Sequence, residues 1–384
     1  VGTLEAIGFA ALSLAASPAL WLGVLLSFWI GARRIKRERN LFRSRTRGKR
    51  TDVLETLLPG LAVGALLSVA SVLLGLTVTP VFLVVFTGVA SLILLAGVVR
   101  LSLPLWPLTV IAALLIAGAA IPSLGELGEV PVFAILAIAA LGLLGEVLLV
   151  RTRGTKRLSP SLVLSKRGRF IGGLAANKLW LVPLVLFVPG ESLAFLPFDL
   201  PALVPVVLVM PIGFSFLFTG DLPKVLARPL LGGRFATAGL SVLLALGAYF
   251  YDRTEWLYGL PVLLALHLFL HQRAKRLNRQ KTPLFSNGER GVVILGTLAG
   301  KPADSMGLVA GEAIHKVNGD FVDSERAFYE AIQRHKPYLR LEVMNHNGDV
   351  RFAQRAFYEQ DHHELGILFV NEPAHQRTKI KQLH

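Results

Sequence analysis

The 384-residue chain has no cysteine. Disulfide frameworks, thiolate metal sites and cysteine nucleophiles are therefore excluded. Charge is scarce as well. Asp, Glu, Lys and Arg together make up 17% of the residues and apolar types 53%, which lies outside the range of soluble globular domains. Of the two signs, acid is the scarcer, 25 residues against 40 Lys and Arg, for a formal net charge of +15. Such an excess can indicate nucleic acid, but here the basic residues cluster beside apolar runs, so no nucleic-acid partner is expected. Catalytic signatures are missing too. No H-E-x-x-H, G-x-S-x-G or Walker-type loop occurs, which removes the usual sequence grounds for a zinc hydrolase, a serine hydrolase or a nucleotide-binding enzyme. No cofactor and no metal are expected. The apolar start also lacks the basic n-region and A-x-A site of a signal peptide and reads as a retained span.

What the chain has in abundance is apolar sequence. A helix crossing the hydrocarbon core needs about 20 mostly apolar residues. Candidate stretches are 4–30 (with Trp21 and Trp29 suited to an interface), 54–76, 80–99, 105–121, 131–150, 179–188, 200–218, 235–251 and 256–270. The sixth is short and contains Pro183; it reads as a complete short span, a re-entrant piece, or a span beginning near Ile171. The seventh carries Pro201, Pro205 and Pro211. The expected fold class is an all-α polytopic membrane bundle of about eight or nine transmembrane helices, followed by a small α+β domain.

Loop charge alternates along these spans. Residues 33–50 hold ten Lys and Arg against one Glu, and residues 151–178 hold eight and no acid. Lys224, Arg228 and Arg234 follow in the connector 221–234, and Arg273, Lys275, Arg276, Arg279 and Lys281 come after the last span. The opposite loops carry Glu126, Glu129, Glu191, Asp199, Asp252 and Glu255, with Arg253 as their one cation. Under the positive-inside rule the N-terminus is outside and the C-terminal domain cytoplasmic. Arg33, Arg34, Lys36, Arg37 and Arg39 exceed what orientation requires and predict attraction to anionic phospholipid headgroups at the membrane surface. Within the spans, Glu146 and His267 read as interfacial side chains, and no chain of carboxylates crosses the bilayer as proton-coupled transport would need.

Residues 291–370 are different in kind. The run Val292-Val293-Ile294-Leu295 leads into the turn at Gly300-Lys301-Pro302-Ala303-Asp304, then Gly307-Leu308, Gly311-Glu312-Ala313-Ile314 and Val317-Asn318-Gly319. Ser324 is placed to cap a helix over 324–334, with Phe328 and Ile332 on its apolar face. A hairpin follows over 339–357, turning at Asn347-Gly348. In this order the module resembles the PDZ domain of bacterial envelope proteins. That resemblance implies peptide binding by strand addition in a groove between a strand and a helix. The family's carboxylate-binding loop has its counterpart here in Leu365-Gly366-Ile367-Leu368-Phe369, at the far end of the module, so a circular permutation is expected. Leu365, Gly366, Ile367, Leu368, Phe369, Phe328 and Ile332 are the candidate peptide-binding residues. The same segment reads equally as a core strand whose glycine avoids a clash.

Several N-terminal spans, a first basic segment Arg34-Ile35-Lys36-Arg37-Glu38-Arg39 and one C-terminal PDZ-like module ending in Leu365-Gly366-Ile367 together resemble the MinJ family of cell-division topological determinants. The resemblance implies a multi-pass protein of the bacterial cell membrane, at septum and poles. In that family the protein is a non-catalytic adaptor linking the DivIVA scaffold to the division inhibitor MinD, among other divisome membrane proteins. Homo-oligomers are compatible with it. The chain would divide into a transmembrane part (1–272), a basic juxtamembrane linker (273–288), the PDZ-like domain (289–371) and a basic tail (372–384). A membrane protease, or a regulator of one, is the alternative that such a module also allows.

Overall fold

The computed structural model describes residues 3–97, 99, 102–117, 129–165, 168, 170–193, 202–251, 253–286, 291–334, 338–345, 347–356 and 365–370. Glu126, Lys166, Arg167, Arg169, Asp199, Pro201, Asp252 and the basic tail, all within stretches named from the sequence, lie outside the described residues.

The first half is helical: α1 (Thr3–Ala16), α2 (Pro18–Phe42), α3 (Lys49–Leu73), α4 (Pro80–Leu95), α5 (Leu105–Ile116) and α6 (Val132–Arg153). Among the described residues, three helices are long and apolar enough to cross a membrane: Arg50–Leu73, Val132–Arg153 and Pro223–Phe250. A fourth is possible if Glu5–Ala16 and Pro18–Phe42, bent by 51° at their junction, count as one span. The bend falls at Ser17-Pro18, where proline has no N–H for the preceding turn. Helix α6 is buried on nearly all sides, as expected of a helix apolar all round at the centre of a bundle. Large apolar side chains such as Leu58, Leu66, Leu73, Leu92, Leu243 and Phe250 are exposed along the helices.

The expected all-α bundle of eight or nine spans is not what the chain forms. Helices α4 and α5, the third and fourth predicted spans, have 16 and 12 residues, less than the roughly 20 of a crossing helix. The sixth and seventh predicted spans are not helices. They lie in β2 (Phe170–Pro189) and β3 (Leu203–Phe218), which pair antiparallel over their apolar lengths, with β1 (Ser159–Leu164) on the other side of β2. At about 3.3 Å per residue, β2 is roughly 66 Å long, well beyond the ~30 Å hydrocarbon core. Its tip reaches the loop after α3, where Phe187 exchanges backbone hydrogen bonds with Leu76 and Val78.

Open sheet edges do not survive in lipid unless the protein covers them, and here the free edges of β2 and β3 are met by groups suited to cover them. The small residues Gly60, Gly64, Ser68 and Ser71 of α3 lie against β2. A Cβ on Gly60 would sit 2.0 Å from the Leu181 carbonyl oxygen, and one on Gly64 would sit 2.5 Å from that of Pro183. The Ser71 hydroxyl donates to the Val185 carbonyl at 2.7 Å, and the Ser68 hydroxyl accepts from the Val185 N–H at 3.1 Å. Pro183 has no N–H to leave unpaired. Along the outer edge of β3, Val207 N–H donates to the Ser13 hydroxyl at 2.9 Å and Gly213 N–H to the Ser102 carbonyl. Pro205 and Pro211 fall in the same alternate set, which explains the proline cluster: these are edge-strand prolines, not helix breaks.

Two helices follow, α7 (Pro223–Phe250) and α8 (Gly259–Gln280). Helix α7 absorbs most of the predicted connector 221–234, and the predicted ninth span becomes an amphipathic helix whose second half is polar. Residues 281–286 then return to the ribbon. Leu284 N–H donates to Thr219 O, and Gly172 N–H to Phe285 O. The C-terminal module comprises β4 (Val292–Thr297), α9 (Pro302–Ser305), β5 (Ala313–Val317), β6 (Asp320–Phe321), α10 (Glu325–Arg334), β7 (Tyr338–Met344), β8 (Val350–Ala356) and β9 (Ile367–Phe369). Its sheet order is β8-β7-β5-β4-β9, with β6 paired to β5. One face holds its own core around Phe328, Ile314 and Leu341, while Val293, Leu295 and Val370 join the core of the helical part. Leu295 and Val370 meet Phe285 at Gly172, so the module is seated on the base of the ribbon.

Candidate functional site

Helix α10 begins as the sequence predicts: the Ser324 hydroxyl accepts from Ala327 N–H at 3.2 Å, satisfying one of the unpaired donors of the first turn. Its apolar face carries Phe328, Ala331 and Ile332 inward. Strand β9 pairs antiparallel with β4, with Ile367 opposite Thr297 and Phe369 opposite Ile294, and ends the sheet. Phe369 packs edge-on against Phe328, with ring centroids 5.0 Å apart. Five of the seven predicted groove residues, Leu365, Ile367, Phe369, Phe328 and Ile332, thus share one apolar cluster. Leu368 is also buried, and lies across from Gly296. Gly366 has φ +76, and a Cβ there would come within 2.4 Å of Lys301 Cβ, so only glycine fits without strain. The loop before β9 is pinned through its carbonyls: Ala303 N–H donates to Leu365 O and Leu298 N–H to Gly366 O. Burial raises the Tyr329 hydroxyl above its ordinary pKa, with Glu325 adding to the shift. Across the sheet, Arg351 grips Glu312 through both carboxylate oxygens at 2.9 and 2.8 Å. That hydrogen bond holds the guanidinium above its ordinary value.

The basic residues named from sequence fall on α2, which runs straight through 33–42 as helix rather than loop. Arg33, Lys36, Arg37 and Arg39 are exposed. Arg34 is placed differently. It turns inward to Glu38 and Asp52, both at 2.9 Å, and donates to the Thr46 hydroxyl and to the carbonyls of Arg47 and Gly48. Glu38, which reads as the lone acid in a basic run, is fully buried and also accepts from Thr46 N–H and the Ser159 hydroxyl. The Arg34/Glu38 spacing of one helical turn was visible in the sequence; its closure by Asp52, Thr46 and Ser159 was not.

A second polar cluster lies inside the helical part. Glu146 of α6, Arg234 of α7 and His267 of α8 converge, with Arg234 Nε donating to Glu146 Oε1 at 2.8 Å and His267 Nε2 3.5 Å from the same oxygen. Glu146 is 0% exposed and the other two 5%, which corrects the reading of Glu146 and His267 as interfacial side chains. Three helices each supply one member, and Phe214 of β3 lies 5.1 Å from the Arg234 guanidinium. The partner that makes burial tolerable, Arg234, stands in a stretch that reads as an exposed connector. Among the described residues, no group of three or more His, Cys, Asp or Glu has a metal-binding arrangement.

No protein-family model and no solved structure matches the chain. Curated proteins do. The chain is 36% identical over 375 residues to the cell division topological determinant MinJ of Bacillus subtilis (strain 168), covering 92% of each chain. It is 29% identical over 368 residues to the probable cell division topological determinants MinJ of Lacticaseibacillus paracasei and of Lacticaseibacillus casei (strain BD-II), covering 92% of this chain and 96% of theirs. At that identity and coverage, the chain belongs to the family of MinJ cell division topological determinants.

Proposed function

We propose that the protein is a non-catalytic membrane scaffold whose C-terminal module works as a PDZ domain, binding an extended peptide as an added strand on β9 beside α10. The observation that carries this reading is the position of β9: it is the last strand among the described residues, ends the sheet next to β4, and its Phe369 meets Phe328 of α10. Strand addition draws affinity from main-chain hydrogen bonds and specificity from alternate side chains, and a pinned loop at Leu365–Gly366 suits that role. The partners implied by the family resemblance are MinD and a DivIVA-like scaffold, with other divisome membrane proteins. On this reading the chain divides into a membrane part over 1–272, a connection over 273–288, the peptide-binding module over 289–371 and a basic tail. Loop charge supports a cytoplasmic module and an external N-terminus. The ribbon keeps that parity, because it leaves and returns on the module's side. Exposed Arg33, Lys36, Arg37 and Arg39 face the anionic headgroups of the inner leaflet.

Two measurements test the proposal. A photo-crosslinking residue at Tyr329, which flanks the apolar face of α10, should capture a division-site protein in living cells. A fluorescent fusion should concentrate at septum and poles. Uniform membrane signal together with normal cell length on deletion would overturn the division role; capture of no partner from Tyr329 would overturn the groove.

A further inference from the structure

The basic ends of the first helices enclose a cavity that the peptide groove does not use. It measures about 310 Å³ and lies between α2, α3, β1 and β2. Six cations line it, Arg33, Arg34, Arg37, Arg47, Arg157 and Lys178, against two carboxylates, Asp52 and Glu55. Arg34 is committed to Glu38 and Asp52. Glu55 alone serves three cations, Arg157 at 2.9 Å, Lys178 at 3.2 Å and Arg47 at 3.5 Å. One carboxylate cannot neutralise three cations, and Arg33 and Arg37 add to the excess. Lys178 is nearly buried, its side chain 8% exposed, so this positive charge is held where water screens it weakly. The rim and the walls differ in character. The Arg33 guanidinium lies 3.5 Å over the ring of Trp29, a residue type that sits at headgroup depth, while Ile30, Val99 and Leu179 supply an apolar wall.

We propose that this cavity is a binding site for the phosphate-bearing headgroup of an anionic phospholipid from the inner leaflet. Guanidinium groups match phosphate oxygens in pairs, and the apolar wall meets the glycerol and first methylenes. The inference rests on the cytoplasmic placement of this end of α2 given above, and differs from diffuse attraction in naming a cavity. Lys36 and Arg39 carry the same charge on the same helix but do not line it.

The test uses the full-length protein in phosphatidylcholine nanodiscs, titrated with short-chain phosphatidylglycerol and read by native mass spectrometry. One lipid should be retained per chain. R33Q/R37Q should weaken retention by about fivefold per arginine, K36Q/R39Q, which removes two headgroup-facing charges outside the cavity, should weaken it by clearly less, and E55Q, which removes the competing carboxylate, should tighten it. Equal losses in the two double variants, or no loss in R33Q/R37Q, would overturn the cavity as a site. If inorganic phosphate binds as tightly as phosphatidylglycerol and displaces it, the site takes a soluble anion and the lipid assignment falls. Orientation is read separately. Because the chain lacks cysteine, a single K36C can be probed with an impermeant thiol reagent on intact cells. Labelling from outside would overturn the topology that the lipid assignment requires.

Discussion

Among its described residues the protein contains two antiparallel sheets that treat their edges in opposite ways. The β1-β2-β3 ribbon is covered along the free edges of β2 and β3: Gly60 and Gly64 let α3 lie against β2, Ser68 and Ser71 bond its backbone, Ser13 does the same for β3, and prolines remove donors at 183, 205 and 211. The C-terminal sheet ends in a three-residue strand, β9, flanked by an aromatic helix rather than by small residues. An apolar environment penalises each unpaired backbone group by several kcal/mol, so a ribbon walled by apolar helices has to be sealed. A sheet edge in water pays no such penalty, and can be kept for a partner. The two sheets meet at Gly172, where Phe285, Leu295 and Val370 pack.

This contrast can be broken at several points. The largest effect is expected from the charged cluster that supports the ribbon through Phe214. Glu146→Ala leaves Arg234 buried without its carboxylate and should cost about 3–5 kcal/mol, seen as loss of folded protein in detergent thermal melts. Next is Gly60→Val. The added side chain meets a backbone carbonyl, which cannot rotate away, and about 3 kcal/mol is expected, with α3 becoming accessible to protease. Gly366→Val forces a β-branched residue to φ +76 against Lys301 and should cost about 2 kcal/mol; on the proposed groove it should also abolish crosslinking from Tyr329. The smallest effect is Ser71→Ala, which leaves one carbonyl of the ribbon unpaired and should lower stability by about 1–2 kcal/mol. If Ser71→Ala matched Gly60→Val in melts, steric closure would not be what seals β2. If Gly366→Val left crosslinking intact, β9 would be a core strand only.

The two sheets were also unequally legible. The C-terminal elements could be placed to within a residue or two because their signals are local: a serine cap at Ser324, an Asn-Gly turn at Asn347-Gly348, a Pro-containing turn at Pro302. The ribbon was misread because hydropathy sums over a window carry no information on backbone state, and Val, Leu and Phe are as apolar in a strand as in a helix. Its prolines were the available signal. Pro183, Pro205 and Pro211 fall at strand positions whose N–H would point away from the paired strand, where a residue without a donor leaves nothing unpaired. The spaced small residues Gly60, Gly64 and Ser68 were likewise visible, but not what they packed against.

By itself, the sequence determined the class and the punctuation of this protein: an apolar chain with few charges, basic segments beside its spans, the caps and turns of the C-terminal module, and membership of a family of division determinants. These are properties of composition and of neighbours in sequence. Tertiary structure alone decided that 170–189 and 203–218 are strands of one sheet, that Glu38 and Glu146 are buried partners rather than surface charges, and that Glu55 is shared by three cations. Each depends on groups far apart in the chain, such as Ser71 with Val185 or Glu146 with Arg234. Burial, which makes a hydrogen bond or a charge pair obligatory, exists only once those groups have met.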